Sequence, residues 1–342
     1  MGLLAKIKAF FTRAGRPVVL GLALGSGGAK GMAHLGALKA FEEEGLVFSV
    51  VTGTSIGSIV GALLAKGYSW ADMTGIVDSI NKKEFSKNLR PFADMSPFES
   101  FLEGYLEGDI SALPLPFAAC ATDGATNACV VLREGKIARA LTASAAIPPF
   151  FRGVDWNGRK LYDGAFSNAI PADVCRELGA QVVVGIDLSA FARAEEEKGR
   201  LERLLGSAIG AFTPVRTLPD AKTRGYEAAD VMLRPDLYDF KATNISRTAM
   251  DAMFEIGYRE AKERMPEIRA AIAAARKSRR SKKKSSTHSD KSMEDKSGSF
   301  GAVGSVNGSP DVRKEKPKET DTNKTRAKKG KKPKNEPEGT SE

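Results

Sequence analysis

The amino-acid sequence predicts an α/β fold built on buried, largely parallel strands, and three observations carry that expectation. Two nearly continuous apolar runs, Val18–Leu24 and Gln181–Leu188, have the character of strands covered on both faces. Strand-like and helix-like stretches alternate along the chain in the rhythm of βαβ units. Between them, at Val50–Ser58, a β-branched strand turns sharply into a helix at Ser55.

In chain order, Leu3, Leu4, Ile7, Phe10 and Phe11 of segment 1–17 share one helical face, with Lys6, Lys8 and Arg13 elsewhere. That pattern suits a short interfacial membrane anchor or a terminal helix docked on the domain. Pro17 closes it, and the strand Val18–Leu24 runs into the loop Gly25-Ser26-Gly27-Gly28-Ala29-Lys30-Gly31. A helix follows, with Met32, Leu35, Leu38 and Phe41 at three-residue steps. Such a glycine loop offers backbone N–H donors to an anion. Counted from Gly25, the dinucleotide spacing meets Lys30 where its last glycine should stand, and a phosphate-cradling loop needs Ser or Thr in place of Gly31. Two uses remain. One is an oxyanion hole, with the N–H groups of Gly27 and Gly28 each worth ~3 kcal/mol of barrier; the other is close strand-to-helix packing through glycine. Lys30 is read either as a positive charge near a substrate phosphate or as a solvated lysine at a helix start.

Ser55 lies in Gly53-Thr54-Ser55-Ile56-Gly57, a G-x-S-x-G pattern between strand and helix. A nucleophile held on such a turn leaves no room for side chains two residues to either side, which Gly53 and Gly57 satisfy. The helix N-terminus behind it favours developing negative charge. A plain helix N-cap serine is the alternative.

Residues 68–98 read as mixed helix and loop, and 98–113 as an aromatic-containing excursion over the site, ending at Pro114 and Pro116. Asp123-Gly124 marks a hairpin within 117–132. The Ala-rich helix Ile137–Ile147 stops at Pro148-Pro149. After the Asn157-Gly158 turn, a short strand carries Leu161-Tyr162-Asp163 to Gly164-Ala165, with Gly164 letting the chain bend behind the carboxylate. Helix Pro171–Leu178 and strand Gln181–Leu188 continue the rhythm. Then come a charged stretch at 190–206, a strand at Ala229–Leu233, and a helix at Ile245–Lys277 interrupted by Pro266.

Charge divides the 342 residues unevenly. Of 52 basic and 42 acidic residues, 20 and 10 lie from Arg276 onward, leaving 32 of each before it, so the terminal 67 residues carry the whole net charge of +10. Only seven of those 67 are apolar, too few to offset chain entropy by burial, so segment 276–342 is expected to be disordered and 18–275 to form one domain. Its basic clusters suit an anionic membrane surface, or simple solvation. No aromatics interleave with them, which disfavours nucleic acid. Cys120, Cys129 and Cys175 show no C-x-x-C spacing and read as buried free thiols, with neither disulfide nor zinc site. No run reaches transmembrane length and no signal peptide is evident, which leads to an expectation of a cytoplasmic protein in peripheral contact with membrane at most.

Histidine usage bears on chemistry. The chain has two, His34 on the helix after the glycine loop and His288 in the basic segment. A late-loop triad histidine is therefore missing from the expected place, and a serine activated directly by a carboxylate is favoured. Asp163, whose environment should raise its pKa above ~3.9, is the candidate base.

Taken together, the glycine loop Gly25–Gly31, the elbow Gly53–Gly57 and Asp163-Gly164-Ala165, in that order, resemble the patatin-like phospholipase family, as do Ala121-Thr122-Asp123 and Ala143–Pro148 between them. The resemblance spans about residues 18–234. It implies a three-layer α/β/α fold with a largely parallel central sheet, a Ser-Asp dyad of Ser55 and Asp163, oxyanion donors at Gly27 and Gly28, and hydrolysis of acyl esters in lipids. No metal or organic cofactor is implied. Ser26 stands where many members have glycine, a small residue that keeps the loop compact. A thioesterase or general carboxylesterase would use the same residues, and a non-catalytic regulator would need a broken dyad.

Overall fold

A computed structural model of the chain describes residues 18–79, 92–189 and 214–294, with side chains as far as Arg279. The readings made of residues 1–17 and 190–206, and of the basic segment beyond 294, lie outside the described residues.

The strands are β1 (Leu20–Leu24), β2 (Val50–Thr54), β3 (Phe117–Asp123), β4 (Cys129–Leu132), β5 (Val154–Trp156), β6 (Arg159–Asp163), β7 (Val182–Ile186) and β8 (Val231–Leu233). They form one sheet in the order β5-β6-β3-β2-β1-β7-β8, with β4 on β3. The centre is parallel, and the β4, β5 and β6 pairings are antiparallel. Each central strand is buried along its whole length, which is why its sequence is largely apolar rather than alternating, with Thr52, Thr54 and Thr122 buried as hydrogen-bonded exceptions.

Helices cover both faces. They are α1 (Met32–Glu43), α2 (Ile56–Lys66), α3 (Trp70–Ser79), α4 (Ser96–Glu103), α5 (Ile137–Ser144), α6 (Ala172–Glu177), α7 (Thr223–Ala228), α8 (Arg247–Glu263) and α9 (Met265–Glu294). Leu22, Leu24, Val51, Ala119 and Ile186 face the main core, shared with α1, α2, α5 and α8. Ala23, Val50 and Val183 face the opposite side, where α6 packs through Ala172 and Cys175, and Ala118 and Cys120 meet Val174. This is a three-layer α/β/α arrangement with a thick and a thin helical layer.

Three expectations change. The excursion around 98–113 is anchored in the main core by Leu102, Leu106 and Ile110. Helix α9 continues across the compositional boundary at 275/276 to Glu294. Low apolar content limits burial, but Lys and Arg are good helix formers and the helix starts from an anchored turn at Met265 and Ile268. Finally, α8 ends at Glu263, so the break precedes Pro266, which sits in the first turn of α9 where its missing N–H is harmless.

Candidate active site

The carboxyl ends of β1, β2 and β7 open on one edge of the sheet, and the glycine loop, Ser55 and Asp163 gather there. Ser55 follows β2 directly and caps α2 with φ 54° and ψ −125°, a left-handed conformation that a non-glycine residue holds only under constraint. The glycines impose it. A Cβ on Gly53 would collide with the Gly57 carbonyl, and one on Gly57 with that of Leu24. The backbone N–H of Ser55 donates to Ser144 Oγ at 2.9 Å, and Ser58 Oγ donates to the Ser55 carbonyl at 2.6 Å.

Asp163 reaches the same place from the far side of the chain through the register of β3. Thr54 pairs with Cys120, and the next residue of β3, Ala121, pairs with Asp163. Ala119 and Cys120 are flanked by β2 and β4, whereas Ala121 and Thr122 are flanked by β6 and β4. So β6 takes over from β2 on one edge of β3, and its last residue meets the residue that follows β2. Thr54 Oγ1 bonded to Asn168 O at 2.7 Å, and Thr122 Oγ1 bonded to Asp163 O at 2.8 Å, tie the two ends together.

The Asp163 carboxylate is fully enclosed. Oδ1 accepts the Ala165 N–H at 2.8 Å, and Oδ2 is buried without a hydrogen-bond partner among the described residues. Burial pushes its pKa up to about 6, while the nearby Ser55 hydroxyl and the Ala165 N–H draw it back. The Ser55 hydroxyl thus lies within electrostatic reach of the Asp163 carboxyl. Gly164 opens the short 3-10 turn Gly164–Phe166 behind the carboxylate.

In the glycine loop, Gly25 N–H donates to Ile186 O, Ser26 N–H to Ala169 O, Ala29 N–H to Ala242 O and Lys30 N–H to Gly27 O. The N–H groups of Gly27 and Gly28 donate to no described residue. Gly28 has φ +58°, and a Cβ there would lie 2.6 Å from Ala242 O, so only glycine fits. The loop's other residues have structural duties: Gly31 passes against Ile56.

Lys30 is not the solvated lysine of one of its two readings. It is buried, and its ammonium donates to Leu237 O at 3.0 Å; burial lowers its pKa, with Asp187 opposing. His34 lies beneath the loop, donating Nε2–H to Gly25 O at 2.8 Å, and burial depresses its pKa to about 4, so the ring is neutral. Its Nδ1 is buried without a partner among the described residues.

Two features escaped sequence reasoning. Ser144 falls within the family-like stretch Ala143–Pro148, but nothing local gave it a role, because the serine it touches lies 89 residues away. Asp187, at the end of β7, accepts Tyr226 OH at 2.8 Å and pairs with Lys222 at 3.2 Å. Burial works against its charge, but Lys222, Ser189 and Tyr226 together hold its carboxyl below the usual range. The three cysteines are free, and no cluster of metal-ligating side chains occurs among the described residues.

A parallel sheet flanked by helices, with a strained serine at a strand-to-helix elbow, defines an architecture of the serine-hydrolase kind. Residues 22–176 match the family model described as patatin-like phospholipase. Among curated proteins, it is 35% identical over 186 residues to patatin-like phospholipase domain-containing protein 6 of Homo sapiens, covering 50% of this chain and 13% of that protein. It is 29% identical over 187 residues to lysophospholipase NTE1 of Meyerozyma guilliermondii, again 50% of this chain and 13% of that protein. The chain thus spans about one eighth of the length of these relatives. Among solved structures, VipD from Legionella pneumophila aligns with a TM-score of 0.45 and 16% identity, over 75% of this chain and 68% of that one. No described helix is long and apolar enough to cross a membrane.

Proposed function

We propose that this protein is a serine acyl-ester hydrolase acting on lipids, of the phospholipase A or lysophospholipase type. The observation that carries the proposal is the meeting of Ser55 with a buried, half-partnered Asp163 where β3 exchanges β2 for β6. Ser55 Oγ attacks the ester carbonyl carbon as Asp163 takes its proton, forming a tetrahedral intermediate. The oxyanion is received by the N–H groups of Gly27 and Gly28, donors that the fold leaves uncommitted. Collapse expels the alcohol, which takes the proton from Asp163. Water then attacks the acyl-serine, again giving its proton to Asp163, and the fatty acid leaves as Ser55 is restored. A carboxyl near pH 6 suits this base, being ionised at neutral pH yet more basic than an exposed Asp. The lipid substrate class rests on the family match and on the names of the relatives. Contact of the basic segment from Arg276 onward with anionic membrane belongs to the same proposal.

The test is product analysis of phospholipid, lysophospholipid, acyl-thioester and simple ester substrates with purified wild type and Ser55→Ala. Free fatty acid released from phospholipid or lysophospholipid by wild type alone is the expected result. Preference for the thioester or simple ester would move the substrate class, and equal release by both proteins would remove the reading.

A further inference from the structure

The parallel ladder between β2 and β3 is interrupted by a side chain at its catalytic end. Val51 N–H donates to Pro116 O at 3.0 Å, and such bonds recur every two residues along a parallel pair. The rung due at the elbow would join Ser55 N–H to Cys120 O. Instead the Ser144 hydroxyl stands in that position, accepting the Ser55 N–H at 2.9 Å and donating to Cys120 O at 2.6 Å. Ser144 is completely buried at the last residue of α5. Two residues on, Ala146 O accepts the N–H of Asp163 at 3.0 Å. One short segment therefore holds the backbone of both candidate catalytic residues.

We propose that Ser144 is a positioning residue, a hydroxyl spacer that holds the Ser55 elbow off β3 and so sets its distance from Asp163. The proposal rests on the dyad reading above and adds to it the group that maintains the dyad's geometry. The inserted hydroxyl lengthens one rung by one oxygen atom. That displacement falls at the point where β6 replaces β2, so the strand ends separate and leave room for the Ser55 side chain beside the Asp163 carboxyl. Without the hydroxyl, Ser55 N–H and Cys120 O are both buried and unpartnered, and the cheapest repair is for the elbow to close onto β3 and form the missing rung directly. The nucleophile then moves while substrate-binding surfaces stay in place.

The test compares Ser144→Ala with Thr142→Ala in the full-length protein, using a soluble short-chain ester and a small fluorophosphonate. Thr142 is also buried in α5, but its hydroxyl bonds only within the helix, to Ala138 O at 2.8 Å. It therefore controls for the loss of a buried hydroxyl that does not touch the elbow. Ser144→Ala is expected to lose about 10- to 100-fold in kcat and in the rate of fluorophosphonate labelling, with KM within about threefold of wild type. Thr142→Ala should keep wild-type kcat at a comparable fall in melting temperature. If Ser144→Ala does not fold, the near-isosteric Ser144→Cys, a poor hydrogen-bond acceptor, carries the same expectation. Wild-type kcat in either folded Ser144 variant, or equal kcat losses in the Ser144 and Thr142 variants, overturns the spacer. The dyad reading fails separately, through Ser55→Ala: if that variant turns over the same ester as fast as wild type, Ser55 is not the nucleophile whatever Ser144 does.

Discussion

Ser55 and Asp163, 108 positions apart in the sequence, meet because both are placed by β3: Thr54 pairs with Cys120 and Asp163 with Ala121. The distance between them is thus set by the backbone of one central strand, buried along its whole length. Short strands placed this way hold a pair of side chains more firmly than two loops would.

Removing the carboxylate should separate activity from stability. Asp163→Asn is expected to lower kcat by about 10²- to 10⁴-fold, the usual scale for a general base. The wild-type kcat/KM should fall as pH drops through about 6, because the base must be unprotonated. Stability runs the other way. A carboxyl with its folded pKa raised to about 6 binds protons more readily in the native state, so its contribution is favourable at low pH and is lost as pH rises from about 4 to about 6. The variant should melt higher than wild type at pH 7.5, by up to about 3 kcal/mol in stability, and this advantage should vanish near pH 4. Calorimetry at the two pH values reads it directly, and a variant less stable than wild type at pH 7.5 would contradict the buried charge.

His34 predicts the opposite slope. Its folded pKa of about 4 lies below the ordinary 6.5, so the native state holds it neutral and loses stability as pH falls from about 6.5 toward 4. Over pH 4–6 the two groups offset one another, and wild type should be nearly flat where Asp163→Asn shows a clear acid loss. His34→Gln should retain wild-type activity within a few-fold, since its ring contacts the loop carbonyl of Gly25 and not the Ser55 hydroxyl. A folded His34→Gln as inactive as Asp163→Asn would return a histidine to the chemistry.

How much of this was readable from the sequence depends on the range of the constraint. The elbow was legible because its demands are local: β-branched residues before Ser55, glycines two positions either side, helical periodicity after it. Asp163 was reached by elimination, since His34 was out of place, and its strand end and following glycine were visible. The β5 half of its hairpin, only three residues long, and the six-residue α7 left no periodic signal. Ser144, Asp187 and the engagement of Lys30 depend on tertiary partners, Ser55, Lys222 and Leu237, that no local pattern identifies. The close crossing of α1 and α8 was likewise invisible, although it explains two helical glycines. A Cβ on Gly36 would collide with Phe254 O, and one on Gly257 with Ala33 O.

The basic segment gives a prediction that is independent of the site. A version ending at Glu294 removes 12 Lys and Arg, counted over 295–342 after the helix, while leaving α9 whole. Full-length protein should co-sediment with anionic vesicles at low salt, and the shortened version should do so less. High salt should erase the difference, because each charge contributes about 1 kcal/mol near an anionic surface and is screened. Equal sedimentation of both at low salt would remove membrane attraction by that segment.

Activation of Ser55 as a nucleophile by Asp163 is read out by intact-protein and peptide mass spectrometry after reaction with a fluorophosphonate. One phosphonyl adduct is expected, located on Ser55, formed at a rate that falls below about pH 6, absent in Ser55→Ala and greatly slowed in Asp163→Asn. An adduct on another residue, or labelling of Ser55→Ala at the wild-type rate, would contradict it.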